Sequence, residues 1–382
     1  MNFINKNTNN LIKASGVFGI YSFCYYNRTK VYDLIVPALN KLDPEISHDI
    51  LNIFLSNNIY FKYPEYSSKK LNVNIFDKVV KNPVGLAAGF DKNADMYKAL
   101  NEFGFGYLEL GSVVKNKQIG NQKPRIYKYE NSKSIVNNMG LNSKGLDYFH
   151  KNIATRNKNS VIGINLAKNN STINPISDIN YLISRLDRYA DYLVINFSCP
   201  NVNNNYNLYS IEQLLKSVKN NTCNNILIKI SPEINYYELV NIINLSLKYK
   251  IYGLIISNTQ KTFLGGLSGS PIKDLSDNLI KESYKLSNGK LKIIGSGGIM
   301  CAEDAYKKIK LGANLVQVYS GFIFEGPKLI YNINKDLENL IESDNLDSIN
   351  DAVGKDVNLE ISWEEYINNF YKYYKDMYKY YL

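Results

Sequence analysis

LKIIGSGG, residues 291–298, carries three apolar residues around one lysine and then turns abruptly into glycine and serine. Its apolar residues do not alternate with polar ones. A strand with one wet face alternates, whereas a strand buried on both faces reads as a continuous apolar run. Seven further runs share the pattern: PVGLAAG (83–89), YLELGSV (107–113), VIGINL (161–166), DYLVINF (191–197), NILIKI (225–230), YGLIIS (252–257) and NLVQVYS (314–320). Most stretches between them can hold a helix, for example SDINYLISRLDRYA (177–190), NYYELVNIINLSLKYK (235–250) and AEDAYKKIKLG (302–312). Eight β-α units in this span predict an α/β fold, a closed (β/α)8 TIM barrel. An open, doubly wound sheet is the alternative, because closure leaves no mark on sequence.

The chain has 382 residues, 45% of them hydrophobic, enough for one large domain and a small accessory piece. Its formal net charge is +10. The lysines are scattered and form no basic block, so a Lys-rich soluble surface is favoured over a nucleic-acid interface. Cys24, Cys199, Cys223 and Cys301 show no CxxC spacing, and His48 and His150 have no ligand-like neighbours, which argues against a structural zinc site. A disulfide framework is equally unexpected in a chain of this size.

Four domains are expected. Residues 1–30 carry Lys6, Lys13, Arg28 and Lys30 before the first acid, and the apolar run ASGVFGIYSFCYY (14–26) is short for a spanning helix. A targeting or membrane-anchoring segment fits. Residues 31–66 hold two short amphipathic helices punctuated by Pro37 and Pro44, with Asp43 or Ser47 as cap of the second. Their apolar faces have no partner within the segment and suit packing on the main domain or a membrane surface. Residues 67–345 form the barrel. Residues 346–382 form a Tyr-rich tail, one amphipathic helix or an irregular end.

Barrel chemistry sits on loops at the carboxyl ends of the strands. Those ends read AAGFDK (87–92), GS (111–112), NLAKN (165–169), NFSCPN (196–201), KIS (229–231), SNT (257–259), GSGG (295–298) and YSG (319–321), with VNNMGLN (136–142) off the strands. Glycines, amides, hydroxyls and three lysines suit a flat polar ligand beside a planar cofactor. The glycines after strands seven and eight sit where barrels bind phosphate. Asp91 is the only acid assigned to this rim, and no histidine is, so metal hydrolysis and carboxylate-pair chemistry lack their parts. Cys199 is the rim residue suited to proton transfer. A thiol pKa, normally about 8.5, falls near positive charge.

From about residue 31 to 355 the chain resembles the class 2, membrane-associated, quinone-dependent dihydroorotate dehydrogenases. The resemblance rests on GLAAGFDKNA, GFGYLELGSV, NQKPRIY, INLAKN, DYLVINFSCPN, LIKISP, GLIISNT, GGLSGSP, IIGSGGI and LVQVYSGFIFEGP in that order. It implies FMN in the barrel mouth, held by Ala87, Ala88, Gly89, Ser112, Asn165, Asn196, Lys229, Ser257, Gly269, Gly298, Tyr319 and Ser320. It implies dihydroorotate or orotate bound by Lys92, Asn137, Asn138, Met139, Gly140, Leu141, Asn196, Asn201, Asn258 and Thr259. Cys199 matches the catalytic base, which removes the C5 proton as hydride leaves C6 for the flavin. A quinone, ubiquinone, then takes the electrons through a tunnel under the N-terminal helices, beside His48 and Lys128. The implied location is the mitochondrial inner membrane, with the N-terminal segment on the membrane surface.

Three departures stand out. Cys199 occupies a position where the membrane-bound class has serine. Lys128 replaces an arginine beside the tunnel. The loop between Thr259 and Gly265 is short, and Leu141 replaces a phenylalanine. A soluble-type dihydroorotate dehydrogenase using fumarate or NAD, or another FMN barrel such as a tRNA dihydrouridine synthase, are the alternatives.

Overall fold

A computed structural model describes residues 22–197, 208–360 and 362–381. Each of the eight apolar runs contains a strand: β1 (Val84–Leu86), β2 (Tyr107–Val113), β3 (Val161–Leu166), β4 (Tyr192–Asn196), β5 (Asn225–Ile230), β6 (Gly253–Ile256), β7 (Lys292–Ser296) and β8 (Leu315–Val318). They pair in parallel and in chain order, and β8 returns to β1, so the sheet is a closed barrel and not an open one. The three sample helices fall at Pro175–Leu186, Tyr236–Lys248 and Ala302–Lys310. Their apolar faces (Ile179, Leu182, Ile183; Leu239, Ile242, Ile243; Ala305, Ile309) are buried against the strands.

Aromatic rings close the amino-terminal end of the barrel. A hairpin of Val73–Ile75 and Lys78–Val80 carries Phe76 at its turn. Phe76 stacks on Tyr192 with centroids 4.3 Å apart, and Tyr192 meets Tyr107 edge-on at 6.3 Å. Any side chain at Gly85 would collide with the Tyr107 ring at 2.3 Å, so the plug requires glycine there.

Segments leaving the carboxyl ends of β2 and β6 build a second sheet over the mouth. Gln260–Thr262, Gly265–Gly269, Ser134–Asn137 and Ile126–Tyr129 pair antiparallel in that order. The short 259–265 loop is the tip of this hairpin, with Phe263 wholly exposed. VNNMGLN was read as off-strand. Its first two residues instead end a strand of this mouth sheet.

The N-terminal segment forms α1 (Arg28–Asn40), with Pro37 inside it, and α2 (Pro44–Ser56). Asp43, not Ser47, caps α2: its carboxylate accepts from the Glu45 and Ile46 amides at 2.9 and 3.1 Å. Glu45 anchors α2 to the mouth sheet through the buried Arg125, Oε1 to Nη2 2.8 Å. Burial alone would raise the Glu45 pKa, but hydrogen bonds from Arg125 and Lys123 outweigh it and hold the carboxyl below its ordinary value. The folded value is thus below the unfolded one. The anchor is complete above the usual carboxylate range and weakens as pH falls through it. Limited proteolysis along a descending pH series is expected to cut at the α1–α2 turn before the barrel yields. Early cleavage that persists unchanged in Glu45→Gln would count against this anchor.

Leu34, Ile35, Ile46, Ile53 and Phe54 remain exposed on α1 and α2. Among the described residues no helix is long and apolar enough to cross a membrane. Residues 1–21, which hold most of the expected anchor, lie outside the described residues. The tail forms α3 (Trp363–Tyr381), an amphipathic helix.

Candidate active site

Parallel register brings the rim residues together. Asn196 on β4 lies opposite Lys229 on β5, Gly111 on β2 opposite Asn165 on β3, and Ser296 on β7 opposite Gln317 on β8. Their ends surround a cleft of about 1050 Å³. Of the residues expected to bind flavin, Ala87, Ala88, Gly89, Ser112, Asn196, Lys229, Ser257, Gly269, Gly298, Tyr319 and Ser320 line it. Asn165 lies one layer beneath, bonded to Ser112. Of the residues expected to bind substrate, Lys92, Asn137, Met139, Leu141, Asn196, Asn258 and Thr259 line the same cleft. Asn138 and Gly140 stand behind it. Asn138 Oδ1 accepts from Asn121 Nδ2 at 2.7 Å, and the Gly140 carbonyl accepts from Gln118 and Asn170. Cys199 and Asn201 lie outside the described residues.

The amides form a chain. Asn258 Nδ2 donates to Asn196 Oδ1 and Asn196 Nδ2 to Ser112 Oγ, each at 3.3 Å. Lys92 Nζ donates to Asn142 Oδ1 at 2.8 Å. Asp91, the one acid expected on the rim, turns away. It accepts from the Asp95 and Met96 amides at 2.9 and 2.8 Å and caps a turn. Burial pushes its pKa up to about 6 despite those bonds.

The acid beneath the cleft is Glu109, on β2, which the strand pattern hid. It is wholly buried. It accepts from Asn165 Nδ2 at 2.7 Å and Gln317 Nε2 at 2.6 Å, and Lys229 Nζ is 3.9 Å away. An acid inside an otherwise apolar barrel strand needs such partners. Lys229 therefore does not snorkel. It is held on the floor of the cleft by an opposite charge.

Glycine has two jobs at the end of the cleft formed by the turn after β7 and the mouth sheet. Gly298 has φ +75°, and a Cβ there would sit 2.5 Å from the Lys273 side chain. Gly269 has φ +99°, with a Cβ 2.1 Å from the Lys133 carbonyl. Both favour glycine sterically and conformationally. Behind this loop Lys308 is wholly buried, its Nζ 2.6 Å from Asp277 Oδ1 and 3.0 Å from Ser276 Oγ. Burial lowers its pKa while Asp277 draws it back up. Ser276 Oγ in turn donates to the Ser296 carbonyl at 2.6 Å. Lys308→Met leaves Asp277 with Lys307 alone, Nζ 2.9 Å from Oδ2, and breaking the buried half of the pair costs up to about 3–5 kcal/mol. Thermal unfolding should register this as a large drop in Tm. A near-neutral result would mean that Lys307 alone suffices for Asp277.

A larger cleft, about 2430 Å³, opens between α1, α2 and the barrel. Both expected tunnel residues, His48 and Lys128, line it together with Leu39, Leu51, Phe90 and Phe322. His48 Nε2 donates to the Phe90 carbonyl at 2.7 Å, and burial lowers its pKa. Lys128 Nζ bonds the Asn40 carbonyl at the end of α1 and also Asn40 Oδ1 at 3.2 Å. The two clefts share Gly89, Lys92, Asn137, Met139, Asn142 and Tyr319 as lining. The Tyr319 phenol is pushed up to about 12 by burial.

Residues 70–341 match the family model described as dihydroorotate dehydrogenase. The chain belongs to the dihydroorotate dehydrogenase family. It is similar to a dihydroorotate dehydrogenase (quinone) of Sulfurimonas denitrificans, 37% identical over 347 residues that cover 85% of this chain and 99% of that one. A mitochondrial dihydroorotate dehydrogenase (quinone) of Arabidopsis thaliana is 34% identical, covering 88% of this chain and 83% of the plant protein. Among solved structures, that of DHODH from Eimeria tenella in complex with ferulenol superimposes with a TM-score of 0.78. The two are 32% identical, and the match covers 82% of this chain and 96% of the other. Membership of this dehydrogenase family sets aside the tRNA dihydrouridine synthase reading.

The cleft also suits the flavin such enzymes use. Ser257 Oγ is buried and finds no hydrogen-bond partner among the described residues, and Ser257 lines the cleft. Buried polar atoms without partners are costly, and a bound ligand with its own donors relieves that cost.

Proposed function

We propose that this chain oxidises dihydroorotate to orotate and delivers the electrons to a quinone, with FMN as the carrier. The observation that carries the proposal is the pair of clefts, one at the strand ends and one beneath α1 and α2, that share a wall through Tyr319 and Lys92. Bound FMN would accept hydride from C6 and release the electrons to the quinone.

Within that reading the chain's own residues orient and hold. Lys229, Ser112, Ser257, Asn196 and the sub-layer Asn165 would contact the flavin ring. Gly269, Gly298, Tyr319 and Ser320 would border its phosphate, and Ala87, Ala88 and Gly89 its flank. Lys92, Asn137, Asn196, Asn258, Thr259 and Asn201 would grip the pyrimidine, and the 138–141 turn would frame it. Cys199, as thiolate, would take the C5 proton. The quinone would enter past His48 and Lys128 beneath α1 and α2, whose exposed apolar residues would rest on a membrane surface. The mitochondrial inner membrane is the location we favour, supported by the plant relative. The Sulfurimonas relative is bacterial, so the membrane contact does not depend on that location.

Anaerobic addition of dihydroorotate to the purified protein is expected to bleach the flavin band. A ubiquinone analogue should then restore it rapidly, and fumarate or NAD should not. Restoration by fumarate alone would replace the quinone with a soluble acceptor.

A further inference from the structure

Two successive residues of the turn beside the cleft stand in the left-handed region. Gly140 has φ +67° and Leu141 φ +54°. Glycine adopts this conformation freely, but leucine keeps it only where the surroundings over-determine it, and such strain gathers at functional sites.

A strap, residues 116–121, supplies those surroundings. It meets the turn backbone to backbone: a Cβ at Gly120 would sit 2.1 Å from the Met139 carbonyl oxygen. The Gln118 N–H donates to the Ser143 carbonyl at 3.0 Å, and the Ser143 N–H to the Gln118 carbonyl at 2.9 Å. The Gln118 side chain is engaged at both ends. Its Nε2 donates to the Leu141 carbonyl at 2.8 Å and the Gly140 carbonyl at 3.4 Å. Its Oε1 accepts from Asn169 Nδ2 at 2.9 Å and the Asn170 N–H at 3.2 Å, both in the loop after β3. Asn169 is itself buried and fixed: its Oδ1 accepts from the Asn116 N–H, and its own N–H donates to Asp178. Donating at one end and accepting at the other is what a carboxamide does.

In a trans peptide the N–H points opposite to the C=O it is joined to. With the Gly140 and Leu141 carbonyls turned onto Gln118, the N–H groups of Leu141 and Asn142 point away from it. Neither N–H finds an acceptor among the described residues, and both residues line the cleft at the strand ends. Gln118 does not line that cleft; it borders the one beneath α1 and α2. We propose that Gln118 is a positioning residue for the dehydrogenase reaction. From behind the turn it holds Leu141 and Asn142 in the conformation that presents their N–H groups to bound dihydroorotate. The inference rests on the reading that this turn frames the pyrimidine.

Orotate titrated into the flavin-loaded protein gives a Kd from the perturbed flavin band, and steady-state turnover gives a KM for each substrate. Gln118→Ala is expected to raise the orotate Kd and the dihydroorotate KM about tenfold, the effect of losing one or two hydrogen bonds. Flavin content and the KM for a ubiquinone analogue should stay at wild-type values. Gln118→Glu keeps the size and the acceptor for Asn169 and Asn170, but sets a carboxylate oxygen against two carbonyls. It should bind orotate more weakly than the alanine variant. A residue needed only for packing gives the reverse order, with glutamate the milder change, and that result overturns the proposal. So does a KM that rises for the ubiquinone analogue alone, which would make Gln118 a quinone contact. If the alanine variant loses flavin, glutamate against wild type decides: an unchanged orotate Kd overturns the proposal. Wild-type flavin that dihydroorotate fails to bleach overturns the proposed function and this inference with it. Normal bleaching with unchanged Kd in both variants overturns this inference alone.

Discussion

Cys199→Ala is expected to slow flavin reduction by dihydroorotate by about 10²–10⁴-fold, the usual contribution of a positioned general base. Flavin content should be unchanged, since the residue is assigned to the substrate side. Stopped-flow bleaching under anaerobic conditions isolates this half-reaction from the quinone step. Cys199→Ser supplies the finer reading. A thiol ionises several units below a hydroxyl, so the wild type should keep its reductive rate to lower pH than the serine variant. A pH–rate profile identical in the two would remove the thiol from the mechanism. So would an alanine variant that reduces flavin at the parental rate.

Lys229→Met is expected to damage both stability and flavin binding. Glu109 would stay buried beneath the cleft without the one cation paired with it among the described residues, retaining the bonds from Asn165 and Gln317. Losing one partner of a buried pair costs about 3–5 kcal/mol, enough to lower Tm by many degrees. Lys229→Met with Glu109→Gln removes both charges and should recover most of the stability. If Lys229 also contacts the flavin, the double variant stays flavin-poor. Absorbance at the flavin band after dialysis separates the two effects. A double variant that regains both would make Lys229 merely the counter-ion of Glu109.

The barrel was legible because strands covered on both faces leave no room for polar alternation, and all eight runs sit where the pattern placed them. The mouth sheet was not. Gln260–Thr262 and Gly265–Gly269 are short, polar or glycine-rich, and owe their pairing to Ser134–Asn137, far away in sequence. The lining of the cleft was readable from strand ends, but its support was not. Glu109 passes unmarked within the apolar run YLELGSV, and its meaning depends on Lys229, Asn165 and Gln317 arriving from three other strands. A single acid in a barrel strand, matched with a lysine in another, was the available signal. Arg125 and Glu45 are 80 residues apart, and nothing local marks either as the clasp between α2 and the barrel.

The stacked Phe76 and Tyr192 that stop the lower end of the barrel make the molecule single-ended. Both reactants must then approach from above, the pyrimidine over the rim and the lipid-soluble acceptor from beneath the helices. A compound wedged beside His48 would block the exit for electrons while leaving the pyrimidine seat open. Such inhibitors should be non-competitive towards dihydroorotate and competitive towards the acceptor, a kinetic signature written into which end of the cylinder is corked.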